Sequence, residues 1–111
     1  MSELKTPEVE DLTRVFARLD DPDTIFALLE DLFTIREIKE TSQRLAVARL
    51  LSAGRPYTAI EEATGASATT IARVSKCLSH GAGGYRAALD ALAQDSAPDA
   101  PDKDYTDAPS A

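Results

Sequence analysis

Between Tyr57 and Leu78 the chain carries two helix signals separated only by Gly65-Ala66-Ser67. So short a connection forces the two helices to cross closely: a glycine must reverse the chain just before Ser67 caps the second helix. The first helix is read over Thr58 to Thr64 and the second over Ala68 to Ser79, and small Ala63 lets them approach. Residues 57–80 therefore have the layout of a helix-turn-helix.

The second of these helices has two chemically distinct sides. At about 100° per residue, Val74 and Leu78 fall within about 60° of Ile71, so these three face inward. Thr69, Arg73, Lys76 and His80 fall within about 40° of the opposite pole. They make an outward stripe of donors without an acid, which suits a helix lying in a major groove between phosphates. At its N-terminal end Ser67, Ala68, Thr69 and Thr70 are small enough for the backbone to approach base edges. Ala68, Thr69, Thr70 and Ala72 also carry methyl groups able to meet thymine methyls. Arg73 and Lys76 then take phosphates, and His80 is either a further phosphate contact or a terminal residue facing the helix dipole. The plain alternative is a helical hairpin with a solvated basic face.

The rest of the chain is also helical in period. Thr6-Pro7 followed by Glu8, Glu10 and Asp11 is a helix start, continued by Val9, Leu12, Phe16 and Leu19. Asp21-Pro22 repeats the signal, and Ile25, Phe26, Leu28, Leu29, Leu32 and Phe33 cover a very wide face of a second short helix. Such a face needs cover on two sides. In a chain of 111 residues a second subunit is the natural second side, and packing within one chain is the alternative. Thr34 with Glu37 is a capping box opening a third helix, carried by Ile35, Ile38, Leu45, Ala48 and Leu51 as far as Gly54. Arg36, Lys39, Glu40, Gln43 and Arg44 occupy much of its remainder. Gly81, Gly83 and Gly84 read as a C-cap and a bend packed by Tyr85, after which a sixth helix runs to about Ala93. No stretch alternates as a strand would, so the class is all-α with six helices.

A folded domain is expected over 7–93, after a flexible N-terminus at 1–6. The tail at 94–111 is rich in Asp, Ala, Pro and Ser and has too little apolar surface to order itself. It reads as a disordered acidic segment that aids solubility, competes weakly with nucleic acid for the basic surface, or meets a partner. The net charge of −7 alone argues against nucleic acid, but its distribution reverses the inference. Residues 1–33 hold three bases and nine acids, 34–93 eight bases and five acids, and 94–111 one base and five acids. From Ala63 to Leu89 there is no acid at all.

The single cysteine, Cys77, has no partner for an intramolecular disulfide and none at metal-ligand spacing. It reads as a semi-buried small residue, with a redox sensor the remote alternative because Lys76 and His80 are its sole activators. No metal site is expected. No apolar run approaches the roughly 18 residues needed to span a membrane, and no signal-peptide pattern opens the chain, so the expected location is cytoplasmic with no membrane partner. With one histidine, one cysteine and no paired carboxylates in an apolar setting, neither a triad nor an acid–base pair can be assembled, and the chain is not expected to be an enzyme.

The run from Ile60 to Leu78, Ile-Glu-Glu-Ala-Thr-Gly-Ala-Ser-Ala-Thr-Thr-Ile-Ala-Arg-Val-Ser-Lys-Cys-Leu, followed by Gly81-Ala-Gly-Gly-Tyr85, resembles the YerC/YecD branch of the Trp repressor (TrpR-like) superfamily. Similarity extends more loosely over Val9 to Leu92 and omits the tail. The resemblance implies a six-helix subunit whose first three helices interlock with those of a second subunit. The homodimer would present two recognition helices to successive major grooves of a palindromic operator. It also implies a corepressor pocket edged by Thr34 and walled by Arg44 and Arg73. In the Trp repressor the second arginine is followed by a glycine that leaves room for the ring; Val74 stands here and would crowd it. No cofactor is therefore expected, with tryptophan or another small corepressor as the alternative.

The leading expectation is a sequence-specific transcriptional regulator, a repressor by resemblance, that binds double-stranded DNA as a homodimer through the helix at about 68–79. Two other readings stand beside it. One is a protein-interaction adaptor that presents the same stripe to an acidic protein. The other is a ligand-sensing regulator in which Arg44 and Arg73 grip a small effector.

Overall fold

Residues 2–95 are described by the computed structural model, and among them are six α-helices and no strand. A 3-10 turn at Ser2–Leu4 precedes α1 (Pro7–Arg18), α2 (Pro22–Leu32), α3 (Ile35–Ser52), α4 (Tyr57–Thr64), α5 (Ala68–His80) and α6 (Gly84–Asp95). The class is all-α, as expected. The expected acidic tail lies, from Ser96 onward, outside the described residues. Among the described residues no helix is long and apolar enough to cross a membrane.

The helix starts follow from their capping side chains. Thr6 Oγ1 accepts the Val9 N–H at 3.2 Å, and Asp21 Oδ2 accepts the Thr24 N–H at 3.0 Å. Each leaves its proline at the head of the helix, where the missing donor is not needed. The capping box of α3 is reciprocal: Thr34 Oγ1 accepts from the Glu37 N–H at 3.1 Å and Glu37 Oε1 from the Thr34 N–H at 2.9 Å. Boundaries differ from expectation by a residue or two. Helix α4 begins at Tyr57 and α5 includes His80, since Pro56 is extended and Gly81 is where the chain leaves the helix.

The chain divides into two compact units, one ending at Ile38 and one beginning at Lys39. In the first, neither α1 nor α2 has a buried residue. Phe16, Ile25, Leu28, Leu29 and Phe33 are half-buried, while Val9, Leu12, Val15, Phe26 and Leu32 are exposed and Ile35 is 75% exposed. Among the described residues the wide apolar face of α2 is thus incompletely covered.

The second unit holds the core. Val47, Ala48, Leu50, Ile60, Ala66, Ile71 and Val74 are buried together, with Leu51, Ala63, Leu78, Tyr85 and Leu89 packed against them. Tyr85, expected to pack the bend, is half-buried against this cluster. On α3 the buried residues are Ala46, Val47, Ala48 and Leu50, whereas Leu45 and Leu51 are only half-buried. A simple stripe along this helix misses Val47 and Leu50.

Gly81 is required by space rather than by dihedral angles. Its N–H donates to the Cys77 carbonyl at 2.8 Å, and a Cβ there would press into that same oxygen. Helix backbone cannot move aside, so Gly81→Ala should destabilise the chain by roughly 1–3 kcal/mol. A thermal melt followed by circular dichroism checks this. Gly84→Ala, with nothing within 4 Å of its Cβ, should leave the midpoint nearly unchanged.

Candidate nucleic-acid interface

Helix α5 is set on the second unit by its inward side. Ile71 and Val74 are almost wholly buried and Leu78 is half-buried against the same core. The opposite side is therefore held outward as a rigid surface. Thr69, Arg73, Lys76 and His80 are exposed on it, Ala72 is exposed on its flank, and Ser67 and Ala68 are exposed at the N-terminal end of the helix.

Thr70 differs from its neighbours. It is half-buried, its N–H donates to Ser67 Oγ at 3.2 Å, and the two hydroxyls lie 3.2 Å apart. Ser67 and Thr70 thus share the cap of α5, which aims the first-turn N–H groups and the small side chains Ala68 and Thr69 into solvent. Cys77 is exposed, not semi-buried as expected. It lies about 120° from Ile71 around the helix, away from the inward side.

The turn before α5 joins the expected glycine to groups that the sequence pattern did not single out. Gly65 takes φ +76°, the left-handed conformation that ends α4, and its N–H donates to the Glu61 carbonyl at 2.8 Å. Thr64 Oγ1 donates to the Ile60 carbonyl at 2.7 Å and accepts the Ala66 N–H at 3.1 Å. Ala66, only 4% exposed, is the floor of the turn. From α3, Gln43 Nε2 donates to the Thr64 carbonyl at 3.0 Å. A threonine directly before a helix-ending glycine was the available signal for the first of these contacts. Nothing local in sequence signals Gln43, whose partner lies 21 residues away.

The three residues of the implied ligand pocket have different settings. Thr34 is exposed and engaged in the α3 capping box. Arg44 on α3 is half-buried, Arg73 on α5 is exposed, and Val74 is buried in the core beside it. Among the described residues no three His, Cys, Asp or Glu side chains are grouped so as to hold a metal ion.

Comparison with known proteins bears on the whole arrangement. Residues 8–93 match the family described as Trp repressor protein. The chain is 41% identical over 90 residues to YerC of Bacillus subtilis strain 168, covering 81% of this chain and 86% of that protein. A solved TrpR-like protein from Eubacterium eligens superposes with a TM-score of 0.78 at 41% identity, over 83% of this chain and 95% of that one. A candidate Trp repressor from Staphylococcus aureus superposes at 0.77 with 33% identity, over 82% and 91% of the two chains.

Proposed function

Because the chain belongs to the Trp repressor protein family, we propose that it is a sequence-specific DNA-binding transcriptional regulator, a repressor that acts as a homodimer by laying α5 into the major groove. The observation that carries this reading is the exposed, acid-free side of α5 on a helix whose other side is locked by Ile71 and Val74. Rigid presentation matters because groove recognition needs donors already in place. In this reading Ala68, Thr69 and Ala72 meet base edges, while Arg73, Lys76 and His80 take phosphates. Ser67 and Thr70 hold the first turn in the pose this requires. The dimer supplies the second recognition helix, and the incompletely covered arm of α1 and α2 supports it.

Fluorescence anisotropy tests the proposal, using random duplex DNA and fragments upstream of the protein's own coding sequence at two salt concentrations. Tight binding to one fragment and a steep fall with salt are expected. Arg73→Ala should weaken binding to every sequence and lower the salt slope by about 1 for each phosphate that it no longer neutralises. Bulky or charged replacements of Thr69 or Ala72 should instead change which fragment is preferred, by about 1–3 kcal/mol per base contact. Equal effects of all three on random DNA would contradict the assignment. No binding at low salt by the folded protein would favour an acidic protein as the partner of the stripe. A corepressor is not required in this reading; adding tryptophan to the same titration tests the pair Arg44 and Arg73.

A further inference from the structure

The core contacts that join α4 to α5 are apolar: their packing seats α5 on the second unit, but such contacts are non-directional and do not fix the last few degrees of rotation of one helix on the other. Directional bonds do that. Around the turn they converge on Thr64, whose hydroxyl bridges the Ile60 carbonyl and the Ala66 N–H and whose carbonyl receives Gln43 from α3. The Thr64 carbonyl is the last of α4 and has no partner within its helix. Gln43 therefore ties a group that the helix itself leaves open. The side chain is half-buried and lies beside Gly65, where a Cβ would stand in ordinary contact with Gln43 Nε2 at 3.8 Å.

We infer that Gln43 is a positioning residue for DNA recognition: its amide locks the end of α4, and through the turn the pose of α5, onto the rigid frame of α3. This rests on the DNA-binding reading above and adds to it how sequence discrimination is held. Gln43 touches no DNA. Without its bond α5 stays folded on Ile71 and Val74 but samples several poses, so base contacts suffer while phosphate contacts, which tolerate small shifts, persist.

The test compares the full-length protein with Gln43→Glu and Gln43→Met. The first has the same size, no donor, and oxygens facing a carbonyl; the second is an apolar near-isostere that stays folded if the first does not. The neighbouring control is Ser42→Ala, whose hydroxyl donates to the Lys39 carbonyl of its own helix. Two readouts are taken: the ratio of affinities for a duplex selected from a random library by the wild-type protein and for unselected duplex, and amide hydrogen exchange at Gly65 and Ala66. Loss of the bond should lower the ratio roughly tenfold through the selected duplex alone and speed exchange in the turn. A merely structural role would weaken both duplexes by the same factor and leave the ratio where it was. An unchanged ratio or unchanged exchange in both Gln43 variants overturns the inference. Failure of the wild-type protein to bind any duplex overturns the functional reading instead, and the exchange measurement still decides whether Gln43 holds the turn.

Discussion

Truncating Ile60 or Ile71 to alanine should lower the unfolding free energy by about 2–5 kcal/mol, more than any other single apolar truncation among the described residues. Both side chains are fully buried in the cluster that joins α3, α4 and α5. Removing three carbons there forfeits the transfer energy and leaves a cavity, because the surrounding helices close in only partly. For a chain of this size the loss corresponds to a fall of roughly 10–30 °C in the thermal midpoint. It is measured at matched protein concentration, since an associating chain has a concentration-dependent midpoint. Leu4→Ala is the control, as Leu4 is 71% exposed and should move stability by no more than about 0.5 kcal/mol. Equal shifts for Leu4 and Ile71 would mean that the core is elsewhere.

A second large effect is expected on assembly. Phe26 and Ile35 are 53% and 75% exposed on the first unit, which also exposes Val9, Leu12, Val15 and Leu32, and this much exposed apolar surface is what a partner subunit would cover. Replacing both by aspartate would bury four uncompensated charges in the proposed dimer, two from each subunit, and no such interface tolerates this. Sedimentation should then give the 11.9 kDa single chain in place of a species of twice that mass. Affinity for a two-site duplex should fall by roughly 10²–10⁴, because the second recognition helix no longer binds as part of one molecule. The helical signal of the second unit should persist, since its core uses neither residue. A variant that stays dimeric, or a wild-type protein that binds DNA as a single chain, would refute the arm's assigned role.

Much of the candidate site is legible in the sequence. The inward set of α5 and its exposed stripe come from helical period alone, and caps at Thr6, Asp21, Thr34 and Ser67 are local events whose partners lie three residues on. The burial pattern of α3 is not legible. Its second half is approached from more than one direction, so Val47 and Leu50 join the core although a single stripe through Leu45, Ala48 and Leu51 looks sufficient. Cys77 departs from expectation for a related reason: its angular position is intermediate, and only the placement of neighbouring helices decides whether such a position is covered.

By itself, then, the sequence determined which segments are helical, where each begins to within a residue, where α4 yields to α5, and which side of α5 carries donors. Those are properties of short windows, set by backbone caps, a glycine with positive φ and a 3.6-residue period. Only the tertiary structure decided that Gln43 meets the Thr64 carbonyl and that Ala66 is sealed beneath the turn. These depend on how helices distant in sequence come together, and that is fixed by the joint packing of all their side chains rather than by any window of residues.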